Sequence, residues 1–274
     1  MNTMQITRIL TIAIITILFI YIFSGFYNVL QTTYYTYSNS KIPSEFNDYR
    51  IVQISDYHCK LFGKNNKKLI EAVANLNPDI IVLTGDMIDG EHQDISPVES
   101  LLQGITKIAP IYSVSGNHEF DASAQYSQLI DLYDIYGVIN LDNAQVNIQR
   151  NGSSFALYGL GADRMDILHN RNGLPTVDPS SFSIALYHYS NQFHYFINFG
   201  YDLILSGHTH GGIIRLPFVG GLIDNDNTFL PKYDGGQYHL GSTTMISSRG
   251  LGDANLPRFH NRPELLCITL QSTE

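Results

Sequence analysis

Five short, β-branched runs in this chain each stop on a residue that can bind a metal. Ile51–Ser55 is followed by Asp56-Tyr57-His58, Ile80–Thr84 by Gly85-Asp86, and Ile111–Ser115 by Gly116-Asn117-His118. Ile184–Tyr187 is followed by His188, and Leu203–Ser206 by Gly207-His208-Thr209-His210. Short apolar runs bounded by turn residues read as buried strands. Ligands of α/β sheets collect at the carboxyl ends of strands, so five such ends in register describe one site. Any one of them alone would be a surface histidine or a turn aspartate.

The intervening segments carry helical patterns. Asn66 can cap a helix whose Leu69, Ile70, Val73 and Leu76 share a face, and Asn77-Pro78 stops it. Ser96-Pro97-Val98-Glu99 has the form of a capping box, and Ser123 precedes a helix ending near Tyr136-Gly137. With Phe155–Gly159 as a further strand, the alternation predicts an α/β protein. Late strands at Tyr238–Leu240, Thr243–Ser247 and Leu265–Leu270 lack intervening helices, which makes the C-terminal part richer in β structure.

The N-terminus is of another kind. No charged residue occurs from Ile9 to Ser40, and Ile9–Tyr27 is almost continuously apolar. Such a run covers about 29 Å as a helix, the thickness of a bilayer core. A buried globular helix would show a polar face. A cleaved signal peptide would need small residues at its processing site, and Ser24-Gly25 is flanked by Phe23 and Phe26. The expectation is an uncleaved anchor in residues 1–30, then a polar, tyrosine-rich linker in residues 31–48. Tyr34, Tyr35 and Tyr37 would then sit at the headgroup layer. Arg8 precedes the span, while Lys41 after it is offset by Glu45. That bias predicts a single-pass protein of the cell membrane with the following domain extracytoplasmic.

Composition narrows the partners. Acids outnumber bases 25 to 16, for a formal charge of −9, and no basic stripe interrupts that field. The densest basic run, with Lys64, Lys67 and Lys68, reads as a solvated helix end, so no nucleic-acid partner is expected. Cys59 and Cys267 have no zinc-type spacing and read as two unpaired thiols.

Aspartate offers hard anionic oxygen that can bridge two cations, imidazole suits manganese, iron or zinc, and asparagine adds neutral oxygen. Two divalent ions outweigh two aspartates and one hydroxide by a single positive charge, which attracts a phosphate. Asp-x-His, Gly-Asp-x-x-Asp, Gly-Asn-His-Glu and Gly-His-Thr-His, in this order, resemble the calcineurin-like metallophosphoesterase superfamily. The resemblance runs from about Arg50 to Leu270. Within it, His208-Thr209-His210-Gly211-Gly212, the run Ser247-Ser248-Arg249-Gly250-Leu251-Gly252, and the stretches around Pro257-Arg258-Phe259 and Arg262-Pro263-Glu264 are similar to the YkuE branch. Those are membrane-associated or exported phosphoesterases similar to UDP-2,3-diacylglucosamine hydrolases.

The resemblance implies a four-layer αββα sandwich over residues 49–274. It implies two divalent ions, the first held by Asp56, His58 and His210, the second by Asn117, His188 and His208, with Asp86 between them. His118 would bind no metal and would protonate the leaving oxygen. The implied activity is hydrolysis of a phosphodiester or diphosphate bond in a substrate that is lipid-linked or a nucleotide sugar. A phosphomonoesterase or protein phosphatase is the alternative enzyme, and a non-catalytic metal-bearing scaffold the alternative of another class. Ile213 and Ser190 stand where the family often has glutamine and proline, which bears on specificity.

Other polar candidates are weaker. Asp89 could orient a ligand histidine or cap a turn. Arg249, Arg258 and Arg262 could hold phosphate oxygens or form structural ion pairs, one of them with Glu264. His92, His169, His194, His239 and His260 read as surface or core histidines. Two long aperiodic stretches stand out, 161–181 and 213–236. The second carries Leu216, Phe218, Val219, Leu222, Phe229 and Leu230 directly after His210. Packing is the commoner reason for such residues, and contact with an acyl chain or bilayer is the other.

Overall fold

The structure, a computed structural model, describes residues 2–90, 93–161, 177–253 and 257–273. Helix α1 (Thr3–Gly25) opens with a capping box in which Asn2 and Gln5 exchange side chain-to-backbone hydrogen bonds. Its 23 residues rise about 35 Å. The helix is long and apolar enough to cross a membrane, and its apolar stretch is not covered by the rest of the chain. That uncovered apolar surface suggests membrane association.

Two six-stranded sheets form the body. The first runs in the order β1 (Gln31–Asn39), β14 (Glu264–Ser272), β2 (Tyr49–Ile54), β3 (Ile80–Thr84), β4 (Ile111–Val114), β5 (Ile139–Asn140). The second runs β12 (Gly236–Leu240), β13 (Thr243–Ser247), β9 (Leu203–Gly207), β8 (Ser183–Tyr189), β7 (Ser153–Leu160), β6 (Ala144–Arg150). The inner strands of each sheet are parallel: β2, β3 and β4 in one, β7, β8, β9 and β13 in the other. Continuous apolar runs suit these strands because both of their faces are buried.

Between the sheets, Ile51, Ile80, Val82 and Val114 pack in one core with Ile184, Leu186, Leu203 and Leu205. Each such side chain contributes about 1.5–3 kcal/mol when fully buried. Helices α2 (Lys67–Asn75), α3 (Ser96–Ile105) and α5 (Ser123–Tyr136) cover the other face of the first sheet with Leu69, Val73, Leu101, Leu102 and Leu129. Among the described residues, the outer layer of the second sheet is a 3-10 segment, Ser190–Asn198. Its Phe193 and Phe196 pack with Tyr158, Tyr187 and Tyr201. The four-layer αββα arrangement is thus present, with an aromatic 3-10 layer on one side.

Residues 31–48 do not form a linker. Gln31–Asn39 is strand β1, paired in parallel with β14 along its whole length. Thr and Tyr are strand formers, and their side chains alternate here: Tyr34 is exposed, while Tyr35 and Tyr37 turn into the core between the sheets. Tyr37 Oη donates to the Asp202 carbonyl at 3.0 Å, and Lys41 pairs with the Asp202 carboxylate at 2.9 Å. The turn that follows buries Phe46 against Tyr49 and Phe155. Tyr35 and Tyr37 therefore pack between the two sheets, whereas Tyr34 stays exposed.

Local capping also departs from the sequence pattern. Asn66 is the N-cap of α2, yet its Oδ1 accepts from Phe62 N and its Nδ2 donates to Pro97 O and Ser100 Oγ. Ser96 lies inside α3, so the expected box does not form, and Asp94 accepts from its backbone and hydroxyl instead. Both cysteines are free and buried. Stretch 161–181, His92 and His169 fall wholly or largely outside the described residues.

Candidate metal centre

All five candidate donor segments follow or end strands that lie parallel within the two sheets, and their side chains converge. The first sheet delivers Asp56 and His58 after β2, Asp86 after β3, and Asn117 and His118 at the start of the short helix α4 (Asn117–Asp121) after β4. The second delivers His188 near the end of β8, and His208 and His210 after β9. Asp56, His58, Asp86, His208 and His210 all have φ between +47° and +78°, the left-handed region. Each such residue costs about 1–3 kcal/mol and persists only where the surroundings overdetermine it.

Two groups of donor atoms result. Asp56, His58 and His210 place one atom each within 4.8 Å of one another, and so do Asp86, His188 and His208. A third such set, His58, Asp86 and His118, joins them. Asp86 lies between the groups: its Oδ2 is 3.1 Å from His188 Nε2 and 3.8 Å from His58 Nε2. His58 Nε2 faces His210 Nε2 at 3.1 Å, and His210 Nε2 is 3.5 Å from Asp56 Oδ1. His118 is half-buried at the edge, its ring perpendicular to that of His58 with centroids 4.9 Å apart.

The backbone aims these atoms. His188 Nδ1 contacts the Thr84 carbonyl at 2.8 Å, which leaves Nε2 to face the centre. Asp56 Oδ1 accepts from His208 N, and Asp86 Oδ1 from His118 N, both at 2.9 Å. Gly116 has to be glycine, because a Cβ there would overlap Asp86 Oδ1. Arg258, fully buried, reaches His210 Nδ1 with its Nη2 at 3.3 Å.

The residues fit a divalent cation. Asp86 Oδ2, Asn117 Oδ1, His188 Nε2 and His208 Nδ1 are buried and make no hydrogen bond of proper geometry. Left so, each would cost about 1–3 kcal/mol. Anionic oxygen and imidazole nitrogen converging in this way form the donor set of manganese, iron or zinc. Burial lowers the basicity of His58 and His210, which keeps their lone pairs free. Burial also opposes charge on His188, but the Asp86 carboxylate overrides it and pushes that imidazole up to about 10. Asp86, despite its own burial, is held well below the usual carboxylate range by His188 and His58.

Two supporting carboxylates have no role in the motif reading. Glu119 is buried and accepts from Asp86 N at 2.8 Å, Met87 N at 2.7 Å and Gly116 N at 2.6 Å, which clamps the Asp86 and Asn117 loops together. Its place in Gly-Asn-His-Glu was the available signal. Asp226 Oδ2 lies 3.0 Å from His208 Nε2, from the middle of the 213–236 stretch, where no spacing marks it. Asp89 Oδ2 is 3.8 Å from His58 Nδ1.

The three arginines are structural. Arg249 pairs with Glu264, Arg258 donates to Gly252 O, and Arg262 donates to the carbonyls of Val29 and Leu30. His260 packs on Tyr21 of α1, while His194 and His239 lie outside the donor groups.

Residues 49–212 match the calcineurin-like phosphoesterase family. The chain is 31% identical over 258 residues to the metallophosphoesterase YkuE of Bacillus subtilis, covering 90% of this chain and 87% of that one. It is 25% identical over 232 residues to the phosphodiesterase YaeI of Escherichia coli, covering 81% and 82%. A transmembrane protein with a metallophosphoesterase domain from Danio rerio is 26% identical over 254 residues, covering 84% of this chain and 55% of that one. Strand-end donors in this order, over this length of matching sequence, make the chain a member of the calcineurin-like phosphoesterases, metal-dependent phosphoester hydrolases.

Proposed function

We propose that the chain hydrolyses a phosphodiester or diphosphate bond in a lipid-related or nucleotide-sugar substrate at a centre of two divalent ions. The position of Asp86 between two donor groups carries this reading. Asp56, His58 and His210 would hold one ion, and Asn117, His188 and His208 the other, with Asp86 placed between the two groups. When bound, a pair of such ions supplies Lewis-acid charge to the phosphoryl oxygens and makes water acidic enough to attack at neutral pH.

The chain does the rest. The Thr84 carbonyl and Asp226 orient His188 and His208, and Glu119 fixes the spacing of the two aspartate- and asparagine-bearing loops. His118 stands at the open edge with His58 and Asp86 on one side, where it donates a proton to the departing oxygen. Arg8 ahead of α1, with Lys41 offset by Glu45 after it, supports a single-pass protein of the cell membrane with the domain extracytoplasmic.

The test is a panel on the purified full chain: aryl phosphate monoesters, aryl phosphodiesters, UDP-linked lipids and phosphoproteins, with metal content measured alongside. Two equivalents of metal and turnover of a diester or diphosphate above the monoester are expected. A monoester preference, or full turnover with one equivalent, overturns the reading.

A further inference from the structure

The end of α1 is bonded into the segment that backs the metal centre. Gly25 is buried against the Phe259 ring, and Tyr21 and Phe26 pack on the same ring at 6.1 and 5.2 Å between centroids. His260 N donates to the Gly25 carbonyl at 2.6 Å, and Asn28 Nδ2 to Arg258 O at 3.3 Å. Only Phe26 to Leu30 separate the helix from strand β1, and Arg262 holds the carbonyls of Val29 and Leu30. The end of the helix is therefore bonded to the body and not joined to it by a free linker.

A row of short pairings runs on from that joint. Arg215 N donates to Phe259 O, Leu222 N to Ile214 O, and Leu230 N to Leu222 O, with bridges Ile214–Phe259, Ile213–Ile223 and Ile223–Phe229. The row contains the hairpin of β10 (Arg215–Leu216) and β11 (Gly220–Gly221). At its tip Phe218 is wholly exposed, and Val219 is 54% exposed; at the far side Phe229 is 72% exposed. Phe218 also sits at φ +65°, after Pro217, where a type II turn calls for glycine or asparagine. The only charged side chain between Gly211 and Ile223 is Arg215, which turns inward to the carbonyls of Gly211 and Asp234. Among the described residues, Phe218 and Phe229 gain little from packing within the chain. The turn between Ile223 and Phe229 is the one that brings Asp226 to His208.

We propose that the Phe218–Val219 tip and Phe229–Leu230 are a second membrane contact, continuous with α1, that seats the mouth of the metal centre on the bilayer surface. The partner is the lipid bilayer itself. Aromatic and aliphatic side chains on a short hairpin whose one charged residue, Arg215, turns inward enter the headgroup and upper acyl layer, about 5–10 Å deep. A phosphoester carried on a lipid would then meet the centre without leaving its membrane. The contact needs α1 in the bilayer but no particular substrate, so it stands or falls apart from the reaction proposed above.

The chain has no tryptophan, so each introduced one is a single reporter. The full chain, as Phe218→Trp, Phe229→Trp or, for comparison, Ile135→Trp on α5, is reconstituted in phosphatidylcholine vesicles with and without bromine on the acyl chains. A far-UV circular dichroism spectrum matching that of the unsubstituted chain shows that each variant is folded, and either hairpin-side reporter is sufficient for the test. The Phe218→Trp and Phe229→Trp emissions should shift to shorter wavelength and dim several-fold in brominated vesicles, while Ile135→Trp stays quenched only by aqueous iodide. Equal emission of the hairpin-side reporters in both vesicles, equal bromine quenching at all three positions, or failure of the chain to float with vesicles overturns the proposal.

Discussion

The floor of the metal centre and its rim are built on opposite terms. The floor consists of strand-end loops from two sheets, and its donor atoms are buried, backed by backbone hydrogen bonds and crowded by glycine. The rim, from Ile213 to Leu230 with the Phe259 segment, has two-residue strands and isolated bridges, and it leaves large apolar side chains in the open. A floor built this way tolerates one arrangement, because the loops that carry the donors are bonded to one another through their backbones. A rim held by few bonds can change its side chains while the chemistry stays. Reaction class thus resides in the floor, and the choice of surroundings in the rim.

That contrast sets an order of expected effects. Asp86→Asn should reduce turnover to background and lower metal content, since a neutral amide bridges two cations poorly and several kcal/mol of charge stabilisation go with it. Metal analysis with single-turnover rates checks this, and full activity with two bound ions would refute the assignment. His118→Asn should keep metal content and slow turnover about 10²–10⁴-fold, most for leaving groups of high pKa. A slowing independent of leaving-group pKa would remove the proton-donor role.

Glu119→Gln tests the floor one step back. It puts an amide where backbone N–H groups now find carboxylate oxygen, so metal affinity should fall about 10–100-fold, as for other groups that orient ligands. Because the residue positions the loops and touches no substrate, saturating metal should restore most of kcat. A loss of kcat that excess metal cannot repair would place Glu119 in the reaction. Phe218→Ser, on the rim, should change stability by less than about 0.5 kcal/mol and leave turnover of a soluble aryl phosphodiester unaltered. A drop in either, by thermal melt or steady-state assay, would mean that the hairpin supports the floor.

The same division governs what could be read in the sequence. Ile51–Ser55, Ile80–Thr84 and Leu203–Ser206 announce themselves because buried parallel strands need unbroken apolar runs, and His58, Asp86 and His210 follow at their ends. Glu119 lay within a readable motif, but its clamp is made through backbone atoms that no side-chain pattern displays. Strand β1 was illegible as a core strand because its partner is β14, at the far end of the sequence, and its polar threonines suit a linker equally well. Strand β6 lies outside the predicted strands although Asn151-Gly152, both at positive φ, join it to β7 in the manner of a tight hairpin. Asp226 and the row from Phe259 to Leu230 depend on how an aperiodic stretch folds back on His208, which periodicity cannot convey.

The pairing of β1 with β14 has a consequence for the making of the protein. Thr33 bonds to Glu264 across a sequence separation of 231 residues, and β1 has no other neighbour in its sheet. At ribosomal speeds of about 5–20 residues per second, roughly 10–50 s pass between the synthesis of the two strands. During that interval the strand beside helix α1 has an open edge, and Tyr35 and Tyr37 lack the core they will enter. The first strand of the body to be made thus waits for β14 before its edge can close.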